Sequence, residues 1–438
     1  MCTHVRRCTV PAVLVVALIG WASQGFAQDA PAGGDQQHEG HQTADVAHQH
    51  GSAETSAPAH ADGSGTSWLP GESPMYAAHR SLGSWALMLH GNAFVQLFDD
   101  SGTRGTRQWG SINWLMAEAS HDLGTGTFTA VTMVSIEPWT IRGCGYPDLL
   151  ASGEVCNGAR IHDRQHPHDL LMEVAVALDH PIGKGLSIEV YGGPAGEPAL
   201  GPPAFIHRLS SLSNPLAPVS HHWFDSTHIT YGVVTGALHT AQWKIEGSAF
   251  NGREPDDDRV GFELAALDSW STRLSFAPSP SWVLQVSGGS LTDAEALVEG
   301  GRESVKRTTA SGTYHRQTPV SLWATTLGWG RNAHHDEATH AVLLESSYTR
   351  RDRNVAYGRF EWASKTGHDL DLATDETVGT VKIQGGFTRY LRSYAGMMFG
   401  AGAEAQMSIV PEDLESVYGR RINPGFGVYL TVRPTGHP

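Results

Sequence analysis

Sixteen short segments between Ser84 and the end of the chain alternate apolar and polar residues with a period of two. This period is typical of β-strands, in which successive side chains point to opposite faces. The connections between the segments are short and long in strict alternation, as in a membrane barrel with tight periplasmic turns and long external loops. We therefore predict an all-β fold, a transmembrane antiparallel up-and-down β-barrel of about 16 strands.

The side chains of single segments indicate which face meets lipid. In Trp243–Ala249 the odd positions are apolar, whereas Lys244, Glu246 and Ser248 are polar. Thr380–Phe387 repeats the arrangement. Charged residues facing inward and aliphatic residues facing outward predict a water-filled lumen and an exterior in contact with outer-membrane lipid.

The N-terminal residues divide into two parts. Residues 1–27 have the pattern of a secretory signal, because Arg6 and Arg7 precede the apolar stretch Val10–Trp21 and a small-x-small cleavage site. Residues 28–83 are predicted to be a disordered His-rich periplasmic leader, since they lack the aliphatic periodicity that would offset the entropy of ordering. Residues 84–438 are predicted to be the barrel, placed in the outer membrane of a Gram-negative bacterium.

The leader histidines are densest at His38 and His41. A His-rich tract is a loose metal binder by composition, but a plain solvated linker is an equally open interpretation. A periplasmic partner could bind the same leader. The formal net charge of −15 argues against nucleic acid as a partner, because phosphate binding needs a basic surface. The chain carries no GxSxG, P-loop or HExxH signature, so we predict that it is not an enzyme.

Two clusters of histidine and aspartate stand directly before apolar strands. One lies within residues 160–169, at the end of the second long loop, and the other at the end of the third. Because these loops are neighbours along the rim, we expect one polar site built from both. Imidazole and carboxylate donors suit Cu(II) or Zn(II). The candidate ligands are His162, His166, His168, Asp169, His221, His222, Asp225 and His228. The alternative is structural, with these side chains holding inward-folded loops by hydrogen bonds.

Cys144 and Cys156 are the two cysteines that remain after signal cleavage. An even number of cysteines in an exported chain predicts a disulfide, although a free thiol or a metal thiolate remains an alternative. The disulfide would hold the second long loop folded.

Several stretches resemble uncharacterised outer-membrane β-barrel proteins of Gram-negative bacteria: the His-rich leader, Arg164–Asp169, Gly192–Pro198 and Gly358–Trp362. Such proteins are similar in organisation to the copper-resistance outer-membrane proteins, which join a His-rich leader to a barrel. The resemblance implies a barrel that binds or passes transition-metal ions and contributes to metal tolerance. Two other hypotheses stay open, a general porin-like channel for small solutes whose loop histidines are structural and a barrel-embedded hydrolase.

Overall fold

The structure is a computed structural model that describes residues 58–297, 300–334, 337–372 and 376–436. The predicted signal segment and the leader histidines His38 and His41 lie outside the described residues. The strands are β1 (His60–Asp62), β2 (Trp68–Pro70), β3 (Ala77–Leu82), β4 (Trp85–Asp100), β5 (Arg107–Leu123), β6 (Gly126–Val134), β7 (Tyr146–Cys156), β8 (Ala159–Gln165), β9 (Leu171–Gly183), β10 (Leu186–Ala195), β11 (Val233–His239), β12 (Trp243–Phe250), β13 (Ser269–Ser279), β14 (Trp282–Ala296), β15 (Arg302–Thr318), β16 (Ser321–His334), β17 (Glu337–Arg350), β18 (Asn354–Lys365), β19 (Val378–Tyr394), β20 (Met397–Ile409) and β21 (Ile422–Pro434). The helices are α1 (Glu137–Thr140), α2 (His221–Phe224) and α3 (Glu415–Tyr418), with 3₁₀ turns at Ser226–His228 and Glu412–Leu414.

Strands β4, β5, β6 and β9 to β21 form a closed antiparallel barrel of sixteen strands, which confirms the predicted fold. Closure comes from β21 and β4, whose register runs from Gly425 opposite Asp100 to Val432 opposite Ala93. The first residues of β4, Trp85–His90, pair along the same edge with the short strand β3. Closure satisfies the backbone hydrogen bonds that an open sheet edge would expose to lipid.

The predicted direction of the side chains is confirmed. Large apolar residues on the outer face are exposed, for example Ile245 at 56% and Leu430 at 64%. The alternate residues point inward, and Lys244, Glu246 and Arg273 are each only 2% exposed. Aromatic residues such as Trp109 and Trp270 stand on the outside. In the described ranges, no helix has both the length and the apolar character needed to cross a membrane.

The prediction of a water-filled lumen is wrong, because the chain itself fills the barrel. The third long loop turns inward, and every residue from 196 to 232 except Ser226 is buried. We call residues 196–232 the lumen loop. Its Arg208 donates to Glu345 of the wall at 2.5 Å, and Arg359 of the wall donates to the carbonyl of Leu216 at 2.8 Å. The inward charges that indicated a polar lumen therefore bind protein groups.

A second part of the filling comes from the predicted leader. Residues 58–72, which we call the N-terminal segment, carry the β1–β2 hairpin inside the barrel. Trp68 is 3% exposed and packs with Ala277 and Val283 of the wall. The prediction of disorder as far as residue 83 is therefore wrong from residue 58 onward. The physical reason is that Trp68 and Leu69 find an apolar surface that the composition of the leader did not indicate.

Candidate functional site

The two predicted clusters meet. The ring centroid of His166 lies 6.4 Å from that of His221 and 6.5 Å from that of His222, and His168 lies 5.4 Å from His228. The centroids of His221 and His228 are 5.1 Å apart. We call these five residues the histidine cluster. His166 and His168 follow β8, whereas the other three belong to α2 and to the 3₁₀ turn at the end of the lumen loop.

Three imidazoles of the cluster are held through Nδ1. The Nδ1 atom of His168 lies 2.8 Å from Oε1 of Glu137, and that of His221 lies 2.9 Å from Oδ1 of Asp225. The Nδ1 atom of His228 lies 2.8 Å from the backbone oxygen of Asp225. Since each acceptor requires a donated Nδ1–H, Nε2 is the nitrogen of each ring that remains for a ligand. A metal-bound histidine has the same arrangement, with its second nitrogen donated to a carboxylate or a carbonyl.

Burial also disfavours protonation of three rings of the cluster. It lowers the pKa of His166, His221 and His228, and the neighbouring imidazoles add to the effect. Desolvation disfavours the charged form of a base, so these rings bind protons only at pH values below the ordinary histidine range. Neutral imidazole is the form that coordinates a metal.

His222 contributes to a tighter group of donors. Its Nδ1 lies 3.2 Å from Oε1 of Glu254, and one ligand atom from each of His222, Glu254 and Glu295 lies within 4.8 Å of the others. Although burial opposes it, the contact with His222 and the charge of Arg307 lower the pKa of Glu254. Arg307 donates its own hydrogen bonds to Asn332 at 3.0 Å and to Ser226 at 2.9 Å.

The spacing of this group can be compared with that of a bound ion. Bonds of about 2.0–2.2 Å in a tetrahedral zinc site place donor atoms roughly 3.4 Å apart. The three groups lie within 4.8 Å, so a closure of roughly 1 Å would bring them to bonding geometry. The residue types fit a zinc ion, because imidazole and carboxylate are common zinc ligands.

The other predicted ligands have different partners. His162 lies on β8 with its Nδ1 2.8 Å from Oδ2 of Asp163. Asp169 pairs with Arg259 at 3.4 Å, and Asp225 pairs with Arg208 at 2.7 Å. Of the predicted ligands, only His222 belongs to the ligand set proposed below.

Sequence reasoning missed Glu137, Glu254 and Glu295. Glu137 opens α1 and is 0% exposed, and its two oxygens accept from the backbone and the ring of His168. Glu254 follows β12, and Glu295 lies near the end of β14. The position of Glu254 in an acidic external loop was a weak signal, because solvated loops are often acidic without binding anything. No short motif marks Glu137 or Glu295.

The predicted disulfide is confirmed. Cys144 and Cys156 are bonded, with their Cα atoms 6.1 Å apart, and they join the residues at the two ends of β7 in the β7–β8 hairpin. The hairpin lies inward, since Leu149 and Leu150 are buried against Val219 of the lumen loop. The second and third long loops thus pack together over the barrel.

No protein-family model and no curated protein matches the chain. Among solved structures, OmpF of Salmonella typhi in complex with daunomycin is similar with a TM-score of 0.50 and 9% identity, over 81% of this chain and 100% of that one. An anion-selective porin from Comamonas acidovorans has a TM-score of 0.47 and 8% identity, over 80% and 99% of the two chains. OmpT of Vibrio cholerae has a TM-score of 0.45 and 8% identity, over 82% and 100%.

At these identities the likeness to OmpF shows the fold alone, and the other two carry no argument. The predicted resemblance to outer-membrane barrels is thus supported at the level of a porin-like architecture, and the finer resemblance to copper-resistance proteins is not shown. The chain has the fold of a sixteen-stranded porin, with a lumen filled by its own residues.

Proposed function

We propose that this porin-like barrel lies in the outer membrane and holds a divalent transition-metal ion, Zn(II) or Cu(II), beneath its long loops. The ligands are His222, Glu254 and Glu295. The observation that carries the proposal is that donors from three separate parts of the chain lie within 4.8 Å of one another. The apolar exterior supports the membrane location, because a water-soluble barrel would carry polar residues there.

The surroundings of the three donors support a metal rather than a simple ion pair. His221 stands beside His222, with 5.6 Å between the ring centroids, and His228 stands beside His221. Within the described residues, Nε2 of His228 is buried and has no hydrogen-bond partner. A buried polar atom in this condition costs free energy unless a further group satisfies it. A water or an ion bound within the histidine cluster would supply that group.

The second candidate function is a passive porin-like channel with structural histidines. The observation in its favour is that the predicted aspartate ligands are engaged with arginines, Asp169 with Arg259 and Asp225 with Arg208. The first pair joins the segment before β9 to the loop after β12, and the second lies within the lumen loop, so neither pair needs a metal to form.

Metal binding by the purified full-length chain separates the two candidates. We would measure bound Zn²⁺ by elemental analysis after dialysis against a weak chelator, and record the visible absorption of added Co²⁺. The test variant is Glu254→Gln/Glu295→Gln. The matched control is Glu412→Gln/Glu415→Gln, which makes the same charge change at exposed positions of another long loop.

We expect the test variant to lose one equivalent of Zn²⁺ and the Co²⁺ absorption that belongs to it, while the control retains both. The leader histidines contribute equally to all samples, so the difference reports the proposed site. Equal stoichiometry and affinity in the wild type and the test variant would refute the metal site and favour the passive channel. A difference in electrophoretic mobility between heated and unheated samples, the heat-modifiability of folded barrels, verifies that each variant is folded.

A further inference from the structure

A second group of ligand-type residues lies at the opposite, short-turn end of the lumen. One ligand atom from each of Asp179, Glu189 and His239 lies within 4.8 Å of the others. They belong to the neighbouring strands β9, β10 and β11, and all three are partly buried. We propose that they form a second divalent transition-metal site at the short-turn mouth of the barrel. This site shares no residue with the one proposed above and does not depend on it.

The strand register places the three side chains on one inward face. Glu189 is directly opposite Asp179 in the β9–β10 pair, and His239 is opposite Ser187, two residues from Glu189. Residues two apart on a strand share a face. Like charges directly opposite each other destabilise a sheet unless a cation offsets them. The pairing of Asp179 with Glu189 is therefore an arrangement that a bound cation stabilises.

One lysine already offsets part of this charge. Lys244 binds Oε2 of Glu189 at 2.5 Å and lies 3.6 Å from Glu246. Glu246 is in turn paired with Arg273 at 2.7 Å. Because Lys244 binds Oε2 of Glu189, the other oxygen, Oε1, is the one that remains for the metal. The carboxylate of Asp179 lies next to His239, with 2.5 Å between Oδ2 and Nε2.

The N-terminal segment brings a further imidazole to the same mouth. The ring of His60 stacks on Trp68 with centroids 3.6 Å apart, and Trp68 meets the ring of His239 edge-on at 6.1 Å. Among the described residues, Nδ1 of His60 is buried without a hydrogen-bond partner. Burial lowers the pKa of His60 to about 4, so the ring is neutral at neutral pH. His60 thus offers a lone pair that the apo chain does not use.

The donor types define the class of ligand. Two imidazoles with two carboxylates suit Zn(II), Co(II), Ni(II) or Cu(II), whereas Mg²⁺ and Ca²⁺ prefer sites made only of oxygen.

The test uses the full-length protein and Zn²⁺ as the probe. Titration calorimetry gives the stoichiometry and the affinity of Zn²⁺ binding. The test variant is Asp179→Asn/His239→Ala, and the control is Asp122→Asn/His121→Ala, the same changes at exposed or partly exposed positions near another short turn. We expect the test variant to lose one equivalent of Zn²⁺ and the control to bind as much Zn²⁺ as the wild type.

Comparison with Glu254→Gln/Glu295→Gln separates this proposal from the first one, since each variant should lose only its own equivalent. If Asp179→Asn/His239→Ala binds as much Zn²⁺ as the wild type with the same affinity, the short-turn site does not exist. A measurement on the unmodified chain covers the case in which the variant does not fold. Anomalous difference density at the zinc edge, in Zn²⁺-soaked crystals, should show a peak bonded to Asp179 and His239, and absence of that peak would overturn the proposal.

Discussion

The ion pairs of Arg208 test whether buried charge holds the lumen loop inside the barrel. Arg208 is 0% exposed and donates to Asp225 at 2.7 Å and to Glu345 of β17 at 2.5 Å. Its Nη1 also donates to the carbonyl of Pro203 at 2.8 Å. Arg208→Met keeps much of the side-chain volume and removes the positive charge, so it isolates the electrostatic contribution.

The size of the effect follows from what remains after the substitution. Removing one partner of a buried ion pair costs about 3–5 kcal/mol, because the other charge stays buried. Here Glu345 keeps Arg359 at 3.1 Å, and Asp225 keeps His221 at 2.9 Å. These partners place the cost at the lower end, about 3 kcal/mol, which is roughly a hundredfold change in the equilibrium between docked and detached loop.

Hydrogen exchange measured by mass spectrometry reports this equilibrium. In Arg208→Met we expect the protection of amides in residues 204–216 to fall about a hundredfold, with the amides of strand β19 unchanged. Arg80→Met, at an exposed arginine of β3, should leave both regions as in the wild type. If the loop of Arg208→Met stays as protected as in the wild type, the buried pairs do not hold it. Equal loss in loop and strands would show instead that the loop and the wall unfold together.

Three further predictions concern the filling of the barrel. Gly201 has a φ of +84°, and a Cβ there would lie 2.0 Å from the backbone oxygen of Phe224. Gly201→Ala should therefore cost about 1–3 kcal/mol and lower the exchange protection of the lumen loop. Burial lowers the pKa of His207 to about 3, below the ordinary value of 6.5. Its contribution to stability is therefore full above pH 6.5 and decreases as the pH falls toward 3, because the unfolded chain then binds more protons. Thermal unfolding at stepped pH should therefore show a smaller decrease in melting temperature for His207→Gln than for the wild type. Deletion of residues 58–72 should raise single-channel conductance in planar bilayers, and unchanged conductance would show that the lumen loop alone closes the barrel.

The barrel was predictable because its physical signal is repeated in every strand. Lipid outside and a polar interior impose the same alternation of apolar and polar residues on all sixteen strands. The alternation of short and long connections then shows in which direction each strand crosses the membrane. The meeting of His168 with His228 was predictable for a related reason. Loops that follow neighbouring strands of a closed barrel stand side by side on the rim, so their ends lie close together whatever path the loops take.

The filling of the lumen was not predictable from a local pattern. The lumen loop has apolar residues, among them Leu200, Phe205 and Ile206, without the period of a strand or a helix. Its burial depends on partners in the wall, such as Trp114, that are distant in sequence. Glu254 was missed for a similar reason, since it joins His222 only because the loop after β12 folds back over the lumen loop. Tertiary contacts of irregular backbone leave no periodic trace in a sequence.

The two parts of the filling differ in how they are attached, and this difference indicates which of them can leave. The N-terminal segment binds Lys244 and Arg273 through Thr66, at 2.7 Å and 3.0 Å, and both of these wall residues have carboxylate partners within the wall. Withdrawal of the segment would therefore leave Lys244 and Arg273 paired, and Arg316, which it separates from Glu72, is exposed to solvent. The lumen loop instead supplies groups that the wall charges need, since Glu361 accepts from the backbone and the hydroxyl of Ser220. Because a buried charge without partners is costly, we expect any passage through this barrel to open by movement of the N-terminal segment, on the short-turn side.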